Sequence, residues 1–263
     1  MTKIRLDQLI IKKKLTKSLK EAQFLIISGN ILVNNEKITK PGHQIPENAT
    51  IRILKDFALY VSRGGEKLFG AYKNFNFPIK DKVALDVGIS TGGFTDFLIQ
   101  NKADFVFGID VGYGQLANKI MIEPKVFVLD RTNARNLTKE IFLKKLKNNQ
   151  DLLAKAAKIN LVVMDLSFIS ILKVLPAIKN LVAENTDYIV LIKPQFEAEK
   201  EEVGPKGIIS DDIVHQNILA RVEQKLTDLS FTVKNKCISP ILGTKGNKEF
   251  FFWLVKSVAK IDF

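Results

Sequence analysis

Five apolar runs punctuate the middle of the chain: "VALDVG" (83–88), "FVFGIDV" (105–111), "VFVLD" (126–130), "LVVMDLSF" (161–168) and "YIVLIKPQF" (188–196). Runs this short and this continuous read as strands buried on both faces. Each of the first four is followed by a segment with helical spacing, which predicts a mostly parallel sheet with helices on both sides. After the helical stretch 212–229, "FTVKNKCISPI" and "EFFFWLVKSV" flank the Gly243–Gly246 loop and predict a terminal hairpin. A doubly wound, seven-stranded α/β sheet is the expectation.

Such a sheet needs core material, and 46% hydrophobic against 26% charged residues supplies it. The 263 residues suit one large domain or two unequal ones. Forty Lys and Arg against 28 Asp and Glu leave a net charge of +12, which favours a polyanionic partner. Cys237 stands alone, so no intrachain disulfide forms and a reducing compartment fits. His43 and His215 are far apart, and no metal-binding motif is visible. With neither a signal-peptide core nor an apolar stretch of membrane-spanning length, the expectation is a soluble cytoplasmic protein.

Half of the net charge lies in residues 1–56, with 11 Lys and Arg against 5 Asp and Glu. "RLDQLIIKKKL" (5–15) is compatible with a short amphipathic helix. "SLKEAQFLIISG" (18–29) carries Ser18 as N-cap, Glu21 at the capping-box position and Gly29 as a stop. "ILVNNEKI" then reads as strand, turn, strand, and "TIRIL" as a final strand. This order resembles the small α+β RNA-binding domain named after small-subunit ribosomal protein S-four, through Arg5-Leu6-Asp7, Ala22 and "IISGNILVNNEKITKPG". The resemblance implies RNA phosphate contacts, for which Arg5, Lys12, Lys13 and Lys20 are candidates, with Arg63 closing a linker at 57–63. Residues 64–263 form the expected second domain.

"LDVGISTGGFTD" (85–96) follows the first run and opens a helix, the place where a doubly wound sheet binds its cofactor. Its spacing is Gly88-x-x-x-Gly92-Gly93, with Ser90 where a dinucleotide-binding loop needs its middle glycine. S-adenosylmethionine has no phosphate to seat there, so the serine is tolerable. Gly88, Ser90, Gly92, Gly93, Phe94 and Thr95 are therefore candidate cofactor contacts. Asp110, with Val111, ends the second run at the distance where an acid binds ribose hydroxyls. Asp130, with Arg131 to Asn133, ends the third and is a candidate for the adenine edge, whereas Asp86, inside its strand, is expected to orient the loop.

Chemistry in an open parallel sheet happens beyond the C-terminal strand ends. Lys193 stands there on the fifth run, directly before Pro194, and Asp165 at the equivalent place on the fourth. Lys67 in "SRGGEKL" precedes the sheet, and Glu249 in "GNKEFFF" opens the last strand.

The order Lys67, Asp165, Lys193, Glu249 resembles the Lys-Asp-Lys-Glu tetrad of FtsJ-like ribose 2′-O-methyltransferases. With "VSRGGEKL", "LDVGISTGGFTD", "MDLSFISI", "LIKPQFEA" and "GNKEFFFWL", the chain is similar to the TlyA family, whose members have also been labelled haemolysins. That resemblance implies a methyltransferase sheet behind an RNA-binding domain, S-adenosylmethionine as cofactor and methylation of cytidine ribose in ribosomal RNA. Lys193 would take the hydroxyl proton, Asp165 would aim it, and Glu249 would hold Lys67 or a ribose hydroxyl. The loop 196–211 reads either as a surface connection or as a flap over RNA.

Competing readings are an S-four-containing pseudouridine synthase, a nicotinamide oxidoreductase and a membrane-active, non-enzymatic protein. Arg5-Leu6-Asp7 matches a synthase motif, but it falls in the RNA-binding part, and uridine isomerisation needs no glycine loop. Ser90 disfavours the oxidoreductase. A lytic role finds no spanning segment, since "FFFWLV" is only a short strand.

Overall fold

The computed structural model describes residues 3–16, 18–27, 29–54 and 59–257. Two compact units divide the chain, residues 1–59 and 60–263. Residues 57 and 58 of the expected linker lie outside the described residues.

In the first unit, β1 (Lys3–Arg5) runs directly into α1 (Leu6–Lys12). Then come α2 (Leu19–Ile27), β2 (Ile31–Val33), β3 (Glu36–Lys37), β4 (Gln44–Pro46) and β5 (Ile51–Ile53). β2 is the centre of an antiparallel β3-β2-β5 sheet, and β1 pairs with β4. Asn34 and Asn35 both adopt left-handed φ, 51° and 70°, the turn that matches the twist of a tight hairpin. Leu6, Leu9, Ile10, Leu25 and Ile26 are fully buried between the two helices and the strands. Asp7 is buried too, and its carboxylate accepts from Arg5 at 3.0 and 2.6 Å and from Gln23 at 3.1 Å. Those bonds, the Arg5 guanidinium first, hold its carboxyl below the usual range.

The second unit opens with α3 (Arg63–Phe75). It continues with β6 (Val83–Val87), α4 (Gly93–Gln100), β7 (Phe105–Ile109), α5 (Asn118–Met121) and β8 (Val126–Leu129). Next are α6 (Lys139–Lys145), α7 (Gln150–Ala156), β9 (Ile159–Met164), α8 (Leu175–Lys179) and β10 (Asp187–Ile192). The short α9 (Pro194–Glu197), α10 (Asp212–Asp228), β11 (Phe231–Ile238) and β12 (Phe250–Lys256) complete it.

Its sheet has the order β11-β12-β10-β9-β6-β7-β8. β6 to β10 are parallel, and β12 is inserted between β11 and β10, antiparallel to both. Successive residues of the central strands feed opposite faces: Leu85, Phe107 and Val162 one, Ala84, Val106 and Leu161 the other. Burying both faces is what makes the runs continuous rather than alternating. The parallel strands all end at one edge, so Lys193, Asp165, Gly88, Asp110 and Asp130 follow one another along it. No described helix is long and apolar enough to cross a membrane.

Candidate active site

At that edge the chain leaves β6 through a loop fastened to its neighbour: Gly88 N and Ile89 N donate to Ile109 O at 2.8 and 3.2 Å. Gly88 has φ +87°, and a Cβ there would sit 2.4 Å from the Asp165 carbonyl oxygen, so the position takes glycine for both conformation and space. Asp110 Oδ2 accepts from Ser90 N at 2.8 Å and Oδ1 from Gly112 N at 2.7 Å. The acid thus braces the loop, while each oxygen keeps a lone pair for a ligand hydroxyl. A cavity of about 520 Å³ opens here, lined by Gly88, Ser90, Asp110 and Val111 together with Thr132–Arg135 and Asp165–Ile169.

Gly93 and Phe94 line a smaller recess of about 100 Å³ with Ser62, Gly64 and Asp165. Gly92 caps α4 in left-handed conformation, outside either lining. Thr95 is buried and donates to Asp86 Oδ2 at 2.7 Å. Burial pushes the Asp86 carboxyl up to about 7, against the Thr95 hydrogen bond that opposes it. Asp130 and Arg131 do not line the cavity. The Asp130 carbonyl accepts from Thr132 Oγ1 at 2.9 Å, and Arg131 lies over the Tyr113 ring, 4.3 Å from its centroid.

Lys67, Asp165, Lys193 and Glu249 come together although they stand on four different elements or strand ends. Lys67 Nζ lies 2.7 Å from Glu249 Oε2 and 3.9 Å from Asp165 Oδ2. Lys193 Nζ lies 2.7 Å from Asp165 Oδ1 and donates to Ser167 Oγ at 2.8 Å. Both lysines are buried, at 9% and 8% exposure, and Glu249 at 3%, so pairing is what makes these charges tolerable. Lys193 is the extended N-cap of α9: Pro194 starts the helix, where the missing N–H costs nothing.

The tetrad lysines and Glu249 line a second cavity, about 210 Å³, with Gln195, Phe196, Val203, Gly207, Gly243, Thr244, Lys245 and Asn247 around it. Ser167 and Phe168 line both cavities. Phe168 is 87% exposed at φ +65° and packs against Phe196, ring centroids 5.4 Å apart. The loop 196–211 is tied down at several points. Glu197 accepts from Ser170 Oγ and Ile171 N at 2.5 and 2.9 Å, Glu202 pairs with Arg221 at 2.5 Å, and Asn247 bonds Gly207 O and Ile209 N. It forms a wall of the second cavity. Among the described residues no cluster of His, Cys, Asp or Glu could hold a metal ion.

Residues 60–256 match the family model described as FtsJ-like methyltransferase, and residues 4–51 match the S4 domain. The chain belongs to the FtsJ-like methyltransferase family. Within it, the chain is 38% identical to hemolysin A of Brachyspira hyodysenteriae over 94% of this chain and 98% of that protein. It is 36% identical to the 16S/23S rRNA (cytidine-2′-O)-methyltransferase TlyA of Mycobacterium tuberculosis, covering 95% and 89% of the two chains. A solved structure named as a hemolysin from Streptococcus thermophilus superposes with TM-score 0.70 at 33% identity, covering 98% and 90%. The doubly wound sheet and the appended S4 domain are those that the sequence predicts.

In the S4 domain, Arg5 is committed to Asp7, Lys12 pairs with Glu47, and Lys13 is exposed just past α1. The Lys20 side chain lies outside what is described. Arg63, exposed at the start of the FtsJ-like domain, donates through Nη2 to Leu242 O at 2.6 Å. Sequence reasoning reached Thr132 and Asn133 through the third strand end but missed Ser167, Gln195, Asn247, Ala134 and Arg135 of this FtsJ-like site. Ser167 was within reach, two residues from Asp165 in "MDLSF". Asn247 had no signal, because its partners Gly207 and Ile209 come from a distant loop.

Proposed function

We propose that the chain transfers a methyl group from S-adenosylmethionine to a ribose 2′-hydroxyl of ribosomal RNA, on a cytidine, with Lys193 as general base. One observation carries the reading. Lys67, Glu249 and Lys193 line a cavity that meets the nucleoside-sized cavity at Ser167 and Phe168, and Asp165, paired with Lys193, lines the nucleoside-sized one.

The first cavity fits an adenosine ligand without phosphate. Ser90 N is spent on Asp110, so it has no proton left for a pyrophosphate, while the Asp110 oxygens retain acceptor capacity for two ribose hydroxyls. Gly88, Ser90, Asp110, Val111 and Thr132–Arg135 would hold the ligand. When bound, S-adenosylmethionine supplies a methyl group already activated on a sulfonium.

The protein's own task is the acceptor. A ribose hydroxyl is a poor nucleophile until its proton leaves, and Lys193 in neutral form accepts that proton. The resulting ammonium is met by Asp165 and Ser167. These two partners use two of the three positions on Nζ and leave one for the hydroxyl. Lys67, pinned by Glu249, adds a second cation beside Asp165 and balances its charge. Holding acceptor and donor in line contributes the larger share, since orientation is worth up to about 7–11 kcal/mol.

RNA as substrate is supported by the S4 domain, the net charge of +12 and the 16S/23S rRNA named for the mycobacterial relative. Residues 1–56 position the RNA through its phosphates, residues 64–263 carry the reaction, and ribosomal subunits in the cytoplasm are the partners. The test is incubation with ribosomal subunits and methyl-labelled S-adenosylmethionine. Label should resist alkaline hydrolysis at one cytidine; label on a base, or none on RNA, overturns the reading.

A further inference from the structure

We infer that the Gly243–Gly246 turn is a phosphate-binding element, in which Thr244 and Lys245 hold a phosphodiester of the RNA strand entering the acceptor cavity. This deepens the proposed function and rests on it. It starts from charge. Lys67 is matched by Glu249 and Lys193 by Asp165, so the tetrad as a whole offers a polyanion no net attraction. The other polar groups lining this cavity are neutral: Ser167, Gln195, Thr244 and Asn247. Lys245 is the exception. It lines the cavity, is exposed, and has no carboxylate partner among the described residues.

The turn around it leaves donors unpaired among the described residues. Gly246 N donates to Gly243 O at 2.8 Å and closes the four-residue turn. Neither the Thr244 nor the Lys245 N–H meets an acceptor among the described residues, nor does the Thr244 hydroxyl bond to any group there. Two amides without a partner there, a hydroxyl and an ammonium match the oxygens of a phosphodiester, which only accept.

The element is also held in a fixed relation to the tetrad. A Cβ on Gly243 would stand 2.4 Å from Glu249 Oε1, so this backbone is pressed directly against the carboxylate. Gly243 N donates to Asn247 O at 2.9 Å, Asn247 bonds the opposite wall at Gly207 and Ile209, and Arg63 holds Leu242 O at 2.6 Å. A phosphate seated on Thr244 and Lys245 therefore fixes its nucleotide relative to Lys193 without any group having to reorganise on binding. A contact of this kind carries no base information and positions the strand.

The test compares full-length wild type, Lys245→Ala and Lys245→Arg in equilibrium binding to isolated ribosomal RNA over a salt series, together with methyl-transfer kinetics. For Lys245→Ala, the slope of log K against log salt should become shallower by about 0.7–0.9, the loss of one phosphate contact. KM for RNA should rise about tenfold with kcat within twofold and cofactor affinity unchanged. Lys245→Arg should restore the slope. An unchanged slope in Lys245→Ala, or a defect confined to kcat, overturns the inference. The slope is read from binding alone: wild type that binds RNA but transfers no methyl overturns the proposed reaction and leaves the turn standing.

Discussion

Lys193 Nζ and Asp165 Oδ1 stand 2.7 Å apart at the ends of neighbouring parallel strands. Parallel pairing forces β9 and β10 to finish at the same edge, so two residues that are distant in sequence become a contact pair. The same bond orients Lys193, whose Nζ is shared with Ser167.

Lys193→Ala should lower methyl transfer by at least 10²-fold, within the range typical of a general base. Cofactor affinity should stay within about twofold, because Lys193 lies outside the lining of the larger cavity. Label transfer and calorimetric cofactor binding measure the two quantities. A variant that methylates at the normal rate removes Lys193 from the base role.

Lys67 and Glu249 form a buried pair at 2.7 Å. Glu249→Ala leaves the buried Lys67 ammonium with only Asp165, 3.9 Å away, and should cost up to about 3–5 kcal/mol in urea denaturation. The double variant Lys67→Met with Glu249→Leu should recover most of that stability while remaining inactive. If the double variant is as unstable as the single, packing rather than charge decides the site.

Gly88→Ala places a methyl group 2.4 Å from the Asp165 carbonyl and forces φ +87° on a residue that avoids it. Asp165 must shift, and its partner Lys193 with it. The expected outcome is a loss of about 1–3 kcal/mol in stability together with weaker cofactor binding. Unchanged calorimetric affinity would separate this loop from the cofactor.

Asp86 links stability to pH. Its folded carboxyl, pushed up to about 7 by burial, binds a proton more tightly than the unfolded chain does. Stability from this group is therefore full below the unfolded value near 4 and falls as pH rises toward 7. Asp86→Asn should gain on wild type across that window, by up to about 4 kcal/mol, and stop gaining above it. Denaturation midpoints at pH 4 to 8 measure the difference, and a constant gap rules out Asp86 as the source.

Much of this was legible along the chain. Continuous apolar runs identify strands buried on both faces, and the Gly88–Gly93 spacing locates the tight loop after β6, because both patterns reflect local backbone requirements. Asp165 and Lys193 were readable as strand-end residues for the same reason. The insertion of β12 between β10 and β11 was not, since a terminal hairpin can be added either way round. Nor was the state of Asp110, whose oxygens are engaged by Ser90 and Gly112, or the distance of Asp130 and Arg131 from the cavity lining.

The sequence by itself determined which segments become strands, where the backbone must turn on glycine, and which charged residues sit at strand ends. Those are consequences of side-chain period and φ preference acting over a few residues. Tertiary structure alone decided that Lys67 meets Glu249, that Asn247 joins two loops, and that Lys245 lines the second cavity with no carboxylate partner among the described residues. Each depends on long-range packing at one sheet edge, where a shift of a single residue in register would send these side chains elsewhere.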